Sequence, residues 1–151
     1  MISPWAVGRY GDDAGADAFR RDLLEPELAA ARAAGADYMP TIFPGFTWHN
    51  LMGVPANQIP RNAGRFFWRQ AYNAIAAGND RLFIAMFDEV DEGTAMFKLA
   101  PSAATLPVGA ALVPLDIDGE SLPSDFYLFL AGEATKMLRG SRPLSATRPN
   151  P

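Results

Sequence analysis

The chain has 151 residues, enough for one ordinary domain, and 49% of them are hydrophobic, so its composition supports a buried core and argues against global disorder. The formal net charge of −4 and an isoelectric point near 4.9 argue against a nucleic-acid partner, which needs a basic face. The absence of cysteine excludes disulfides and thiolate metal sites and leaves the redox compartment open. No apolar run reaches the roughly 18 residues of a membrane span, and no signal peptide is recognised.

The first half of the chain is predicted to contain two helices and one strand. Residues 16–34 have a helical pattern, and Gly35 is a natural stop. Pro26 should either kink this helix or begin a second short helix in its first turn. The apolar run 37–43 predicts a strand, and residues 62–77 predict the next helix.

The second half predicts two further strands and a last helix. The nearly uniform apolar run 81–87 is typical of a strand buried on both faces. Residues 110–116 are a third strand candidate, and 124–139 form the last predicted helix, capped by Ser124 or Asp125. The remaining residues 141–151 have no pattern and are expected to be a flexible tail.

The order of these elements predicts an α/β fold. Helices and strands alternate, with residues 3–8 as a broken strand at the front, and such alternation is typical of parallel β/α units. The segments that follow the first two clear strands, 44–61 and 88–108, are long, whereas the connections after helices are short. In β/α folds the functional groups lie on the loops at the carboxyl ends of strands. We therefore expect the chemistry on these two long loops.

Four acids occupy five positions directly after the apolar run 81–87: Asp88, Glu89, Asp91 and Glu92. A pair of carboxylates flanking the scissile bond is the usual equipment of glycoside hydrolysis. Crowding of carboxylates raises the pKa of one of them, which a general acid needs at neutral pH. Calcium or magnesium binding is an alternative, although the calcium-loop spacing is absent. A solvated acidic loop without a function is the third interpretation.

The loop 44–61 carries side chains suited to a sugar. Trp48 offers a flat apolar face, and His49, the only histidine, could donate to a hydroxyl or to a negative charge; Asn50 follows them. The alternative is that the Trp packs the loop against the fold and that backbone groups satisfy the His. Arg61 and Asn62 could stand at the rim of the site near a helix N-terminus, or serve as a surface residue and a helix cap.

Several sequence blocks together resemble the C-terminal part of glycoside hydrolase family 71/99-like proteins, bacterial relatives of the family 99 endo-α-mannanases and endo-α-mannosidases. The resemblance extends to residue 140, and its blocks are SPWAVGRY, DYMPTIFPGFTWHN, NQIPRNAGRFFWRQAYNAI, AMFDEVDEGTAMFK and PSDFYLFLAGEATKMLRG. FDEVDEGT is similar to the family 99 motif Asn-Glu-Trp-x-Glu-Gly-Thr, which aligns Glu89 and Glu92 with its two catalytic glutamates. Asp88 and Val90 stand where that motif has Asn and Trp, so the resemblance implies the reaction class more firmly than the sugar.

The resemblance implies cleavage of an α-mannoside-type bond with retention of configuration and without a cofactor or metal. Glu89 would act as a base on the sugar 2-hydroxyl, giving an epoxide-like intermediate, and Glu92 would act as general acid and then base. This differs from direct attack by a carboxylate nucleophile. The substrate-binding residues we expect are Trp5, Arg9, Trp48, His49, Asn50, Arg61, Asn62, Asp88 and Asp91.

The family fold is a (β/α)₈ TIM barrel, which typically needs about 250 residues. Residues 1–140 are therefore expected to form about strands 5–8, the C-terminal half of such a barrel. A half barrel exposes strand edges, so we expect self-association or a missing N-terminal half to cover them. A carbohydrate-binding remnant without activity and a metal-dependent protein remain alternatives. Relatives of this kind are commonly exported, and the location of this chain stays unassigned.

Overall fold

Helices are the longest elements of the structure, a computed structural model that describes residues 1–151. The helices are α1 (Asp13–Phe19), α2 (Glu25–Ala33), α3 (His49–Met52), α4 (Arg65–Ala76) and α5 (Phe126–Leu138), and the strands are β1 (Thr41–Ile42) and β2 (Phe83–Ile84). Short 3₁₀ turns occur at Asn62–Gly64, Ala103–Thr105 and Leu115–Asp118. No helix combines the length and the apolar character that crossing a membrane requires.

The first predicted helix is present and is interrupted by a π-helical turn. It begins at Asp13, earlier than predicted, because the side chain of Asp12 caps it by accepting a hydrogen bond from the Gly15 amide at 2.7 Å. The π-helical turn Arg20–Leu24 joins α1 to α2. Pro26 lies in the first turn of α2, where its missing amide proton costs no helical hydrogen bond.

The strands run parallel and follow one another in sequence order. β1 pairs with β2, with Thr41 opposite Phe83. On the other side of β1, Ile2 forms a parallel bridge with Tyr38. Three successive segments of the chain thus lie side by side with helices between them, which is the arrangement of neighbouring strands in a parallel β/α fold.

The predicted strands are corrected in length and in number. The regular pairing within 37–43 and 81–87 covers two residues in each strand. The third predicted strand, 110–116, is wrong: its first part is irregular and Leu115 begins a 3₁₀ turn. The Leu115 amide donates to the Ala100 carbonyl, so this segment pairs with the preceding loop and not with the sheet.

Helices α4 and α5 pack together over the main core. Phe67 and Trp68 of α4 and Tyr127 and Leu130 of α5 are at most 1% exposed. The approach is close at Gly64, where a β-carbon would lie 2.3 Å from Leu130 Cδ1 and where φ is +81°. Glycine is the residue that combines this conformation with this contact.

The C-terminal tail, expected to be flexible, makes contacts with the helices. The indole nitrogen of Trp68 donates to the Ser145 carbonyl at 3.0 Å. Arg142 donates to the carboxylate of Glu133 on α5, and the Arg148 guanidinium lies 5.1 Å from the Phe126 ring centroid. The sequence shows no apolar pattern here because backbone acceptors and long cationic side chains make these contacts.

Candidate functional site

The acidic turn, residues 88–92, follows β2 at its carboxyl end. The Thr94 amide and hydroxyl both donate to the Glu89 carbonyl, at 3.1 and 3.3 Å. The Gly93 amide donates to the Val90 carbonyl at 3.2 Å, and Gly93 has a φ of +68°, which favours glycine. Local backbone bonds therefore set the shape of the turn and leave its carboxylates free of structural pairing with cations.

The two long loops meet at the acidic turn. The Thr47 amide donates to the Glu92 carbonyl at 2.8 Å. The Asn50 side-chain amide donates to Asp91 Oδ1 at 2.8 Å and also reaches the Asp91 carbonyl at 3.2 Å. The two loops on which we expect the chemistry therefore contact each other, because β1 and β2 end at the same edge of a parallel sheet.

The four acids differ in their surroundings. Asp88, Glu89 and Asp91 are exposed, whereas Glu92 is half-buried. Burial raises the pKa of Glu92, and the nearby charges of Glu89 and Asp91 raise it further. Glu92 therefore keeps its proton to a higher pH than an isolated glutamate. A raised pKa is the direction of change that a general acid needs.

His49 and Trp48 make contacts within their own loop. His49 Nδ1 lies 2.6 Å from the Val54 carbonyl; because a carbonyl only accepts, Nδ1 carries a proton and donates to it. Trp48 packs edge-on against Phe46 with ring centroids 4.4 Å apart. No hydrogen bond joins either ring to the acidic turn. These contacts match the packing interpretation of the pair.

Arg61 lies beneath the acidic turn, and its predicted place at the rim is wrong. The residue is 3% exposed, and Nη2 donates to the carbonyls of Gly93 at 2.8 Å and Ala95 at 3.0 Å. Its guanidinium carbon is 4.6 Å from the Tyr127 ring centroid. The apolar ring and the inward-pointing carbonyls draw this side chain inward, so Arg61 supports the turn from below.

The predicted helix cap at Asn62 is also corrected. Asn62 and Ala63 have positive φ angles of +47° and +50°, and α4 begins only at Arg65, without a side-chain cap. The helical pattern from residue 62 predicted an earlier start, because the left-handed backbone at Asn62 and Ala63 does not alter the periodicity of the side chains. Asn62 is half-buried and makes no hydrogen bond to the acidic turn.

Trp5 and Arg9 are exposed near the front of the fold. Trp5 is 53% exposed, and its ring centroid lies 6.3 Å from that of Phe83 in β2. Arg9 is exposed and forms no salt bridge. Neither side chain bonds to the acidic turn, so the structure brings Asn50 and Arg61 to the acids and leaves these two apart.

Sequence reasoning missed the residues that shape the turn. Thr47 and Thr94 are 2% and 1% exposed, and their backbone and hydroxyl groups hold the carbonyls of Glu92 and Glu89. The Gly-Thr pair that closes FDEVDEGT was the available signal for Thr94. No three acidic or histidine side chains are grouped so that they could hold a metal ion, and neither Glu89 nor Glu92 lines any of the five main cavities.

No protein-family model matches the chain, and no curated protein matches it. Two solved structures of the GH99 endo-α-mannosidase from Bacteroides thetaiotaomicron are similar to it. The structure in complex with Bis-Tris propane has a TM-score of 0.62 at 19% identity and covers 85% of this chain and 37% of its own. The second structure has a TM-score of 0.64 at 19% identity, and the match covers 85% of this chain and 35% of the second structure's chain.

The chain thus spans little more than a third of the length of the structures that it matches. Identity at this level relates the folds alone. The alternation of parallel strands and helices described above agrees with this match. The chain accordingly has the fold of part of a GH99-like TIM barrel.

Proposed function

We propose that this chain is part of a glycoside hydrolase that cleaves an α-mannoside-type or related glycan with retention, using Glu89 and Glu92. The observation that carries the proposal is Glu92, half-buried at the carboxyl end of a parallel strand, with its pKa raised by burial and by Glu89 and Asp91. In a barrel fold this end of the strands is where catalytic residues are found. The GH99-like fold supports a glycan as the substrate.

The two glutamates would divide the proton chemistry between them. Glu89, which is exposed, takes the proton from the sugar 2-hydroxyl, whose oxygen attacks C1 as the glycosidic C1–O bond breaks. Glu92, whose pKa is raised, would donate a proton to the leaving oxygen. Water then opens the epoxide-like intermediate at C1, with Glu92 as base, and Glu89 returns its proton to the 2-oxygen. Two inversions at C1 give overall retention.

The remaining side chains would hold and orient the sugar. Asn50 fixes Asp91, and Asp88 is an exposed acceptor on the same turn. The His49 Nε2 atom and the exposed part of Trp48 are available on the neighbouring loop. Trp5, Arg9 and Asn62 would act at more distant positions, and Arg61 would position the turn without touching the sugar.

A non-catalytic, carbohydrate-binding role is the second candidate. It is favoured by one observation: the glutamates lie on an open surface and line none of the five main cavities, whereas catalysis needs a preorganised and enclosed site. We propose that the chain corresponds to about strands 5–8 of a barrel. The other barrel strands, or a second copy of the chain, would then enclose the acids.

Glu92→Gln and Glu89→Gln variants test the proposal, with Glu25→Gln as a matched control far from the turn. Sedimentation first establishes the oligomeric state of the purified chain. Hydrolysis of a panel of α-linked manno-oligosaccharides by that oligomer is then measured by product chromatography, and binding is measured by calorimetry. We expect each site variant to lose at least about 100-fold in rate, the usual contribution of a general acid or base, while binding persists and Glu25→Gln keeps full activity.

The outcomes separate the two candidates. Binding without turnover by the unmodified chain supports the carbohydrate-binding role and rejects catalysis by this chain. Turnover that survives both glutamate substitutions rejects the proposed catalytic pair. A chain that neither binds nor cleaves any member of the panel refutes both candidates.

A further inference from the structure

A cavity of about 270 Å³ lies beside the acidic turn, and the two glutamates take no part in its lining. Its walls are mostly apolar and come mainly from the turn and the loop after it; they include Val90, Phe97, Leu99, Leu106, Leu112 and Val113. At ~30 Å³ for each water molecule in the liquid, the volume corresponds to about nine waters. The cavity is therefore large enough for a small organic molecule and too apolar to suit a sugar, whose hydroxyls would lack partners.

Two cations are the exceptions in this apolar lining. Lys98 is exposed, whereas Arg61 is 3% exposed. Of the Arg61 guanidinium nitrogens, Nη2 binds two backbone carbonyls, but Nε and Nη1 are shielded from solvent and have no hydrogen-bond partner. No carboxylate forms a salt bridge with Arg61; the charge of Asp118 acts on it only from beyond salt-bridge distance. Arginine keeps its charge in proteins, and a buried charge without a counter-ion is costly.

The Arg61 side chain is held in place by groups that do not neutralise it. Its guanidinium lies over the Tyr127 ring at 4.6 Å, a contact that fixes the plane of the group. The hydrogen bonds to the Gly93 and Ala95 carbonyls fix its rotation. The Tyr127 hydroxyl, which is also buried without a hydrogen-bond partner, is a neighbour of this guanidinium and carries no charge to neutralise it. A guanidinium so oriented, with two donors that lack a partner, is preorganised for an acceptor that brings the missing negative charge.

We propose that this cavity binds a small apolar carboxylate, with the carboxylate paired to Arg61 and the hydrocarbon against the leucine-rich wall. The carboxylate would supply the counter-ion and the acceptors that Arg61 lacks, and Lys98 adds a second positive charge. The hydrocarbon would be removed from water by the apolar lining. The site includes Val90 of the acidic turn and Arg61 beneath it, but Glu89 and Glu92 do not line it, and the proposal does not depend on chemistry at these two residues.

Hexanoate is the probe, and hexan-1-ol is its uncharged counterpart of the same length. Binding to the full chain is measured by calorimetry, and by shifts of methyl resonances of the cavity leucines. We expect saturable binding of hexanoate that is at least tenfold tighter than that of hexan-1-ol, because a hydrogen bond to a charged group is stronger than one between neutral groups. Equal affinity for the two compounds, or no saturable binding of hexanoate, would overturn the proposal.

Leu106→Trp fills the cavity and tests its location. Leu106 lines the cavity, whereas Val108 in the same loop is fully exposed and does not. Leu106→Trp should abolish hexanoate binding, and Val108→Trp should leave it unchanged. Hexanoate binding that persists in Leu106→Trp, or that is lost equally in both variants, places the ligand elsewhere and rejects the site.

Arg61→Met tests the head-group contact in a variant that retains the side-chain length. Its folding is checked by circular dichroism, since Arg61 also binds two carbonyls. In the folded variant, hexanoate should bind no more tightly than hexan-1-ol. A folded Arg61→Met chain that keeps the preference for hexanoate contradicts the pairing.

Discussion

The helical side of the molecule and its strand side differ in how fully their aromatic side chains are buried and their backbone groups are paired. On the helical side, Phe67 and Tyr127 are at most 1% exposed and the C-terminal tail closes over Trp68. On the strand side, Trp5 and Phe87 are 53% and 64% exposed, and each strand has two regularly paired residues. Helices satisfy their backbone groups internally, whereas strands need neighbours on both edges. The helical layer therefore buries its large side chains within this chain, whereas the strand side leaves the rings of Trp5 and Phe87 exposed.

The same contrast appears in the carboxylates of the two sides. Glu133 on α5 is paired with Lys136 and Arg142, and these cations lower its pKa. Glu92 has no cation and is surrounded by other acids, and its pKa is raised. One charge stabilises the fold, and the other is held against its electrostatic preference. This opposition is typical of a structural site beside a functional one.

The largest expected effect comes from truncating one aromatic residue on each side. Phe67→Ala removes a fully buried ring from the α4–α5 core and should lower the free energy of unfolding by about 3–5 kcal/mol. Phe87→Ala removes an exposed ring and should change it by less than about 0.5 kcal/mol. Urea titration followed by circular dichroism measures both. Comparable losses would mean that the strand side is covered in solution.

Two glycines on the helical side sharpen the comparison at a smaller scale. Gly64→Ala introduces a side chain at a φ of +81° and against Leu130, and should cost more than about 1 kcal/mol. Gly132 is exposed inside α5, and a β-carbon there would meet open space. Gly132→Ala should therefore stabilise the chain by up to about 1 kcal/mol. Opposite signs in thermal melts confirm the packing; two losses contradict it.

The smallest effects are pH-dependent and differ in sign. The pKa of Glu92 in the folded state lies above the ordinary value of 4.5. Stability therefore falls as the pH rises from 4.5 through the folded-state pKa, where Glu92 ionises in the folded chain. Glu92→Gln should then be more stable than the unmodified chain at neutral pH, by about 0.5 kcal/mol on the scale of like-charge pairs. Below pH 4.5 the difference should disappear.

Glu133→Gln should show the opposite dependence. The pKa of Glu133 is lowered in the folded state, so its contribution is present above its ordinary value and is lost as the pH falls through the folded pKa. The variant should melt lower than the unmodified chain at neutral pH and approach it in acid. Melting curves of both glutamine variants across this range provide the measurement; the same sign for both would contradict the assigned surroundings.

Part of the candidate site was predictable from the sequence. The β/α order indicated that the loops 44–61 and 88–108 follow strands, and the Asn50 side chain of the first does contact Asp91 of the second. The buried position of Arg61 was not predictable. A cation after a loop is usually a surface residue, and the Tyr127 ring that Arg61 packs on is distant in sequence. The role of Thr47 was hidden for the same reason, since its bond to Glu92 is made by backbone atoms.

The sequence by itself determined the helices, because their apolar periodicity and stop residues are local: the runs 62–77 and 124–139 correspond to α4 and α5 with ends shifted by a few residues. Only the tertiary structure decided the extent of the strands, the fate of residues 110–116 and the docking of the tail. Each of these depends on which distant backbone group accepts a hydrogen bond. Such partners are chosen by packing and leave no periodic pattern in the chain.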